Sequence, residues 1–330
     1  MKKEYIVSVD FGGTKILAAL MSMEGEILAK AKVATRLDDG KRGLIEGLTQ
    51  AIKDVIEQGN MKAQDIKAVS LGVPGSVNPF TGKIGTAPNL KVTNFNMKQE
   101  LAKYIDIPIL VENDVNLAAL GIKNFELKGK GKNILVVFVG TGVGGALIFD
   151  NKLYRGSDFF AGEIGHMIVE KNGPKCGCGN KGCLEAIASR TAIVRDIKKE
   201  MKNKKSSKLY EILPKNKPIK SKGLALAVKK NDPIVIRELT KASGVLGTAL
   251  ANVTNLLNLD MIVLGGGVME SLSKFMVPKI KESFSKTVLS DAGRGVKIVA
   301  TKLGDDAALY GGIVLASEIN GEAKDNTPQV

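Results

Sequence analysis

The stretch Tyr5-Ile-Val-Ser-Val-Asp10-Phe-Gly-Gly-Thr-Lys15-Ile-Leu-Ala-Ala-Leu-Met21 decides the fold, because its pattern is met twice. Residues 4–10 read as a strand, a glycine turn follows, and Ile16–Met21 reads as a second strand. Further on, Asn133-Ile-Leu-Val-Val-Phe-Val139, Gly140-Thr-Gly-Val-Gly144 and Ala146-Leu-Ile-Phe149 repeat that order of strand, glycine turn and strand. One unit appearing near residue 10 and again near residue 140 points to an internal duplication.

Outward from the first copy, Gly25 marks a turn into a third strand over 26–33. Leu44, Ile45, Leu48, Ile52, Val55 and Ile56 then share one face of a helix over 43–58. A short buried strand over 68–73 ends at Pro74-Gly75, a helix over 97–104 leads to a strand over 108–111, and another helix follows Asp114. After the second copy the pattern predicts helices over 184–202, 222–230 and 232–257, with a loop over 204–222 that carries Pro214 and Pro218. A strand over 261–264, a helix to about 284, a strand over 296–300, a helix over 305–319 and a disordered tail over 321–330 complete the reading. Strands alternating with helices define an α/β protein. The 330 residues suffice for two cores. The smaller lobe is expected over 1–115 plus about 305–320, and the larger over 116–304.

Composition narrows the function classes. Hydrophobic content of 44% and charged content of 25% are those of a soluble globular chain. No apolar run approaches the roughly 20 residues that span a bilayer, so no membrane partner is expected. The net charge of +14 invites a nucleic-acid reading, but only seven of the 48 basic residues are arginine. The densest cluster, residues 198–208, lacks aromatic side chains for base stacking, so a solvated lysine-rich face is the better reading.

The only histidine and all three cysteines lie within eighteen residues, in Glu163-Ile-Gly-His166 followed by Cys176-Gly-Cys178-Gly-Asn-Lys-Gly-Cys183-Leu-Glu185. One imidazole and three thiols are the ligand set of a closed tetrahedral zinc site, so His166, Cys176, Cys178 and Cys183 are expected to hold structural Zn²⁺. The competing reading is a glycine-rich turn with unrelated reduced thiols, yet nothing else in the chain competes for these residues. Thiols used as metal ligands fit a reducing compartment, and the cytoplasm is the expected location.

Three glycine turns, each after an apolar strand, offer backbone N–H groups that no side chain shields from phosphate oxygens. The first, Asp10-Phe-Gly12-Gly13-Thr14-Lys15, puts a carboxylate at a strand end to orient Mg²⁺ or its waters, and a hydroxyl and an ammonium to meet phosphate. The second contains Gly140, Thr141, Gly142 and Gly144; the third, Gly265-Gly266-Gly267, would let an adenosine lie flat. A dinucleotide fingerprint at Gly140 needs a helix afterwards, whereas 146–149 reads as a strand. Three such turns in two similar halves fit the actin-like phosphotransferase arrangement. Glu112-Asn113-Asp114-Val115-Asn116 follows a strand and opens a helix. Asn113 or Asp114 can serve there simply as N-cap. A phosphotransferase with a hydroxyl acceptor also needs a carboxylate to take the acceptor's proton, which favours Asp114. With its single histidine placed at the metal, the chain is a poor fit to a Ser-His-Asp or Cys-His hydrolase.

Taken in order, Asp10-x-Gly-Gly-Thr14, Glu112-Asn-Asp114, Gly140-Thr-Gly-Val-Gly144, Gly162-Glu-Ile-Gly-His166 and Cys176-x-Cys178-Gly-x-x-Gly-Cys183-x-Glu185 resemble the signatures of the ROK family (repressors, open reading frames, sugar kinases). The resemblance runs from residue 5 to about 318 and, within the family, is closest to bacterial glucokinases. It implies a duplicated, two-lobed fold of the hexokinase–actin type, with sugar and ATP–Mg²⁺ meeting in a cleft. It further implies that Asp114 is the general base for a hexose 6-hydroxyl. Asn113, Asp114, Glu163, His166 and Glu185 would then hold the sugar, with Asn89 and the backbone at Gly75 as weaker contacts. A homodimer or higher homo-oligomer is also implied. Phe11, Ala146 and Leu259 depart from the usual pattern without touching the proposed chemistry. Glucose is the expected acceptor; N-acetylglucosamine, N-acetylmannosamine, fructose and allose are alternatives. Sugar-sensing repressors of the same family carry a winged-helix domain ahead of the first phosphate turn, and with that turn at Asp10 a repressor is the less favoured expectation.

Overall fold

The computed structural model describes residues 5–203, 208–209 and 218–318, the side chains of 202 and 203 excepted. The tail expected over 321–330, and most of the loop expected over 204–222, lie outside the described residues. Contacts divide the chain into two compact units. Unit 1 comprises Met1–Lys130, Leu153–Ala161 and Asp305–Val330; unit 2 comprises Gly131–Lys152 and Gly162–Gly304.

Unit 1 is built on a five-stranded sheet. Its strands β1 (Tyr5–Phe11), β2 (Lys15–Ser22), β3 (Ile27–Ala34), β4 (Ile66–Val73) and, after a small separate sheet, β8 (Ile109–Asn113) are ordered β3-β2-β1-β4-β8. The β1–β2 and β2–β3 pairs are antiparallel, while β1–β4 and β4–β8 are parallel. Alternation along β1 serves both faces of the sheet. Val7 and Val9 join Leu44, Leu48 and Ile52 of α1 (Gly40–Gln58), and Ile6 joins Leu309 and Ile313 of the last helix. The small sheet, β5 (Val77–Asn78), β6 (Lys83–Ala87) and β7 (Val92–Asn96), is followed by α2 (Met97–Leu101). The pattern reading passed over these three strands, since runs of two to five residues interrupted by Pro88 carry too little alternation to register.

The helix that opens at Asp114, α3 (Asp114–Gly121), is buried from Asn116 to Gly121. A helix apolar all round needs neighbours on every side. It packs within unit 1 on the last helix, Ala307–Glu318, closely enough that a Cβ on Gly311 would stand 1.8 Å from the Leu117 carbonyl oxygen. Unit 1 accordingly continues to Lys130, past the 115/116 junction where the sequence reading set its boundary.

Unit 2 repeats the sheet. Strands β9 (Ile134–Val139), β10 (Val143–Phe149), β11 (Lys152–Tyr154), β12 (Met261–Gly265) and β13 (Lys297–Ala300) are ordered β11-β10-β9-β12-β13. The β9–β10 pair is antiparallel and β9–β12 and β12–β13 are parallel, so the two sheets match position by position. Its helices are α4 (Glu185–Ala188), α5 (Arg190–Asn203), α6 (Ser221–Lys229), α7 (Pro233–Leu257), α8 (Gly267–Thr287) and the short α9 (Ser290–Gly293); the last helix of unit 1 is therefore α10. Among the described residues no helix is long and apolar enough to cross a membrane.

Candidate functional site

Parallel pairing brings the strand ends of unit 1 to one edge. Asp10 is in register with Gly72, and Gly72 with Glu112, so the first turn and the Glu112–Asp114 segment leave the sheet together. A Cβ on Gly72 would lie 3.4 Å from the Asp114 Cα. The Asp10 carboxyl is accordingly pushed up to about 7, first by burial and then by the facing charge of Asp114; Asp305 adds to the rise and Lys15 opposes it. Lys15 pairs with Asp305, on the turn that leads into α10.

The turn itself is closed by Gly12 N–H donating to the Lys15 carbonyl at 2.9 Å, and Thr35 Oγ1 donates to the Gly12 carbonyl at 2.7 Å. Gly13 is demanded by a neighbour, since a Cβ there would stand 2.5 Å from the Asn89 carbonyl oxygen. Asn89, expected as a sugar contact, thus sits on the 3₁₀ turn Pro88–Leu90 that backs the first glycine turn, and is exposed.

Asn113 is the N-cap of α3. Its Oδ1 accepts from the N–H groups of Val115 and Asn116 at 2.9 and 3.0 Å, and its Nδ2 donates to the Gly75 carbonyl at 3.1 Å. The cap expected at this helix start is made by Asn113, and Asp114 Oδ1 also accepts from Val115 N–H at 2.9 Å. One amide hydrogen of Asn113 remains for a ligand. Gly75 holds its place with φ at +92° and its carbonyl on Asn113.

Two residues to which the sequence reading gave no role hold this segment. Glu112, buried to 1% exposure, accepts from Asn113 N–H and from Asn116 Nδ2, both at 2.9 Å, and from Arg155 Nε at 2.6 Å. A buried carboxylate with three donors, one of them a guanidinium, is a fixed anchor for the helix start that carries Asp114. The signal available in sequence was an acidic residue one place from the end of a buried strand, which requires a partner without saying which of seven arginines supplies it.

In unit 2, the second glycine turn is clasped from one side by Glu185. Its Oε2 accepts from Val143 N–H at 2.9 Å. From the start of α5, Arg190 donates to Thr141 Oγ1 at 2.8 Å and Thr191 Oγ1 to the Thr141 carbonyl at 2.7 Å. Gly142 is packed against Glu185, whereas among the described residues, chain neighbours aside, nothing lies within 4 Å of a Cβ placed on Gly140. The same Glu185 reaches back to the cysteine segment, with Oε1 3.8 Å from Cys176 Sγ. Thus one carboxylate ties the second glycine turn to the cluster.

His166, Cys176, Cys178 and Cys183 present ligand atoms that all lie within 4.8 Å of one another. Cys178 Sγ is 3.7 Å from Cys183 Sγ, and Cys176 Sγ is 3.7 Å from His166 Nδ1. The other ring nitrogen, Nε2, faces Glu163 Oε2 at 3.7 Å. Burial pushes the Cys176 thiol up and that of Cys183 up to about 12, while the Asn180 N–H holds Cys178 down. Glu163 is raised mainly by burial; His166 draws it down and Glu185 raises it further. The third turn, Gly265-Gly266-Gly267, joins β12 to α8, as the sequence reading placed it.

The chain belongs to the ROK family, whose model matches residues 6–319. It is 33% identical over 314 residues to the glucokinase of Halalkalibacterium halodurans, covering 94% of each chain. Among solved structures it is similar to a ROK family glucokinase from Streptomyces griseus in complex with glucose and AMPPNP, with a TM-score of 0.85, 29% identity, and 95% and 99% of the two chains covered. The xylose repressor of Caldicellulosiruptor bescii is 28% identical over 94% of this chain and 77% of its own length. The fold is the two-lobed, actin-like arrangement of ROK sugar kinases.

Proposed function

We propose that this protein is an ATP-dependent hexokinase of the ROK family that transfers the γ-phosphoryl group to the 6-hydroxyl of glucose. The observation that carries this reading is the shared strand edge of Asp10 and Asp114, one carboxylate for the nucleotide's cation and one for the acceptor's proton. The similarity to glucokinases over nearly the full chain supports it. Asp114 accepts the proton of the attacking hydroxyl, and its orientation is held through Asn113, Glu112 and Arg155. Glu163, His166 and Glu185, with the remaining Asn113 amide hydrogen, bind the other ring hydroxyls in charge-assisted bonds. The Gly12–Lys15 and Gly140–Gly144 turns present N–H groups and hydroxyls to the phosphates.

Asp10 fits a role in holding Mg²⁺ or its waters, since a cation would relieve the crowding of Asp10, Asp114 and Asp305. Bound there with ATP, Mg²⁺ would neutralise charge on the transferring phosphates. The cysteine cluster fits Zn²⁺ in the same sense. A tetrahedron with Zn–S of about 2.3 Å has edges of about 3.8 Å; two of the observed separations are 3.7 Å and all lie within 4.8 Å. Two thiols that burial keeps protonated would ionise only against a cation. His166 would ligate through Nδ1 and keep Nε2 for Glu163 and the sugar. Replacing Cys178 by Ala should lower bound zinc from about one per chain to near zero and make residues 163–185 sensitive to protease. Elemental analysis finding no zinc in the native protein would exclude the site. A cytoplasmic location and a homo-oligomeric state belong to the proposal as well.

Acceptor choice rests on pocket shape near the sugar's C2, where one group is worth only a few kcal/mol. The test is a panel of hexoses and N-acetylhexosamines with ATP and Mg²⁺, followed by ADP release. Glucose should give the highest kcat/KM. No turnover with any sugar, but tight sugar binding, would favour the regulator reading.

A further inference from the structure

β13 ends its sheet, paired with β12 on one side and with no strand on the other among the described residues. Lys297 N–H donates to the Asp260 carbonyl at 3.1 Å, and Thr301 N–H donates to the Leu264 carbonyl at 2.9 Å. Backbone groups alternate sides along a strand, so Ile298 and Ala300 turn their N–H and C=O away from β12. In unit 1 the strand at the same position, β8, lies against β5 and α2, whereas β13 packs chiefly on β12 and α8. Sheet edges are commonly blunted by a proline, a bulge or a lysine. In Lys297-Ile-Val-Ala300 only the lysine is present, and its charge repels basic strands while admitting acidic ones.

Beside this edge lies a groove of about 620 Å³, formed by β13, the last turns of α8 and the 288–296 segment. Phe284, Val288 and Val296 give it apolar lining, and Leu289, between two lining residues, is 65% exposed. The ionisable side chains of the groove are Lys281, Arg294 and Lys297, with no carboxylate among them. Arg294 pairs with Asp291 at 2.6 Å, while Lys281 and Lys297 make no ion pair among the described residues. The 288–296 segment is already folded. Gly293 N–H donates to the Leu289 carbonyl at 2.8 Å, Val296 N–H to the Gly293 carbonyl at 3.2 Å, and Leu289 N–H to Asn255 Oδ1 at 2.9 Å. A guest would therefore pay little to order this wall.

The geometry points to β13 as a docking strand for an extended acidic segment of a partner protein. The segment adds a strand along Ile298–Ala300, sets apolar side chains in the groove and meets Lys281 and Lys297 with carboxylates. Fluorescence polarisation with a labelled peptide, Val-Thr-Val flanked by two glutamates on each side, tests it. The double variant Lys281→Glu, Lys297→Glu should bind this peptide at least roughly tenfold more weakly, with Tm within about 3 °C of wild type. Reversing Lys229 and Lys230, outside the groove, should change affinity by less than about twofold. A peptide with lysines in place of its glutamates should bind far more weakly, and so should one whose central amides are N-methylated, since it cannot pair with the edge. No binding of the acidic peptide up to about 1 mM would overturn the inference, as would equal binding by the double variant or by the N-methylated peptide. Sedimentation showing a wild-type dimer that Val296→Glu converts to monomer, with no peptide bound, would assign the edge to a second copy and overturn it as well.

Discussion

Replacing Asp114 by Asn should lower kcat by about a thousandfold while the glucose dissociation constant changes by less than about threefold. The substituted amide keeps the shape and can still accept a hydrogen bond from the 6-hydroxyl, but it cannot take the proton. The groups expected to hold the other hydroxyls, Glu163, His166 and Glu185, belong to unit 2 and are untouched. Asn113 keeps its cap bonds to Val115 and Asn116, so the start of α3 is preserved. ADP release under saturating substrates reads kcat, and calorimetry with glucose reads binding. Residual turnover within tenfold of wild type would remove Asp114 as the base.

The second large effect has opposite signs in stability and activity. Asp10 carries a folded pKa of about 7 against an ordinary 3.8. A carboxyl raised in this way stabilises the fold fully below pH 3.8, loses that contribution as pH climbs toward 7, and withholds it above. Three units correspond to about 4 kcal/mol. Asp10→Asn removes the charge and with it the pH dependence. The ligand-free variant should therefore unfold several degrees above wild type at pH 8, and the gain should shrink toward pH 5, where the wild-type carboxyl is already protonated. Phosphorylation should meanwhile be lost, because an amide cannot hold Mg²⁺ or its waters as a carboxylate does. Thermal denaturation at the two pH values, alongside ADP release, checks both halves. A variant less stable than wild type at pH 8 would refute the account of a strained, charge-crowded site. Such a site trades stability for function, since its negative charges await a cation.

Much of this was readable from residues alone. The strand, turn and strand around Asp10 and around Gly140 were found where expected, and the helix over Gly40–Gln58 follows its apolar spacing. The four metal-ligand candidates converge as their clustering implied. The small sheet β5–β7 escaped notice because its strands are too short to show a period. The extent of unit 1 escaped as well, because the partner of α3 comes nearly two hundred residues later in α10. Glu112 was visible as part of a motif, yet its role depends on Arg155, 43 residues away.

By itself the sequence determined what is local: the periods that make strands and helices, the repeated unit that makes two similar sheets, and a histidine and three cysteines close enough along the chain to share an ion. Tertiary structure alone decided which carboxylates crowd one another, that Asn113 caps α3, that Glu112 is anchored by Arg155, and that Glu185 ties the second glycine turn to the cysteines. Periodicity and ligand spacing are written within a few turns of chain. The field at Asp10 and the bond between Glu112 and Arg155 arise from strand register and contacts between distant residues, and these exist only once the chain has folded.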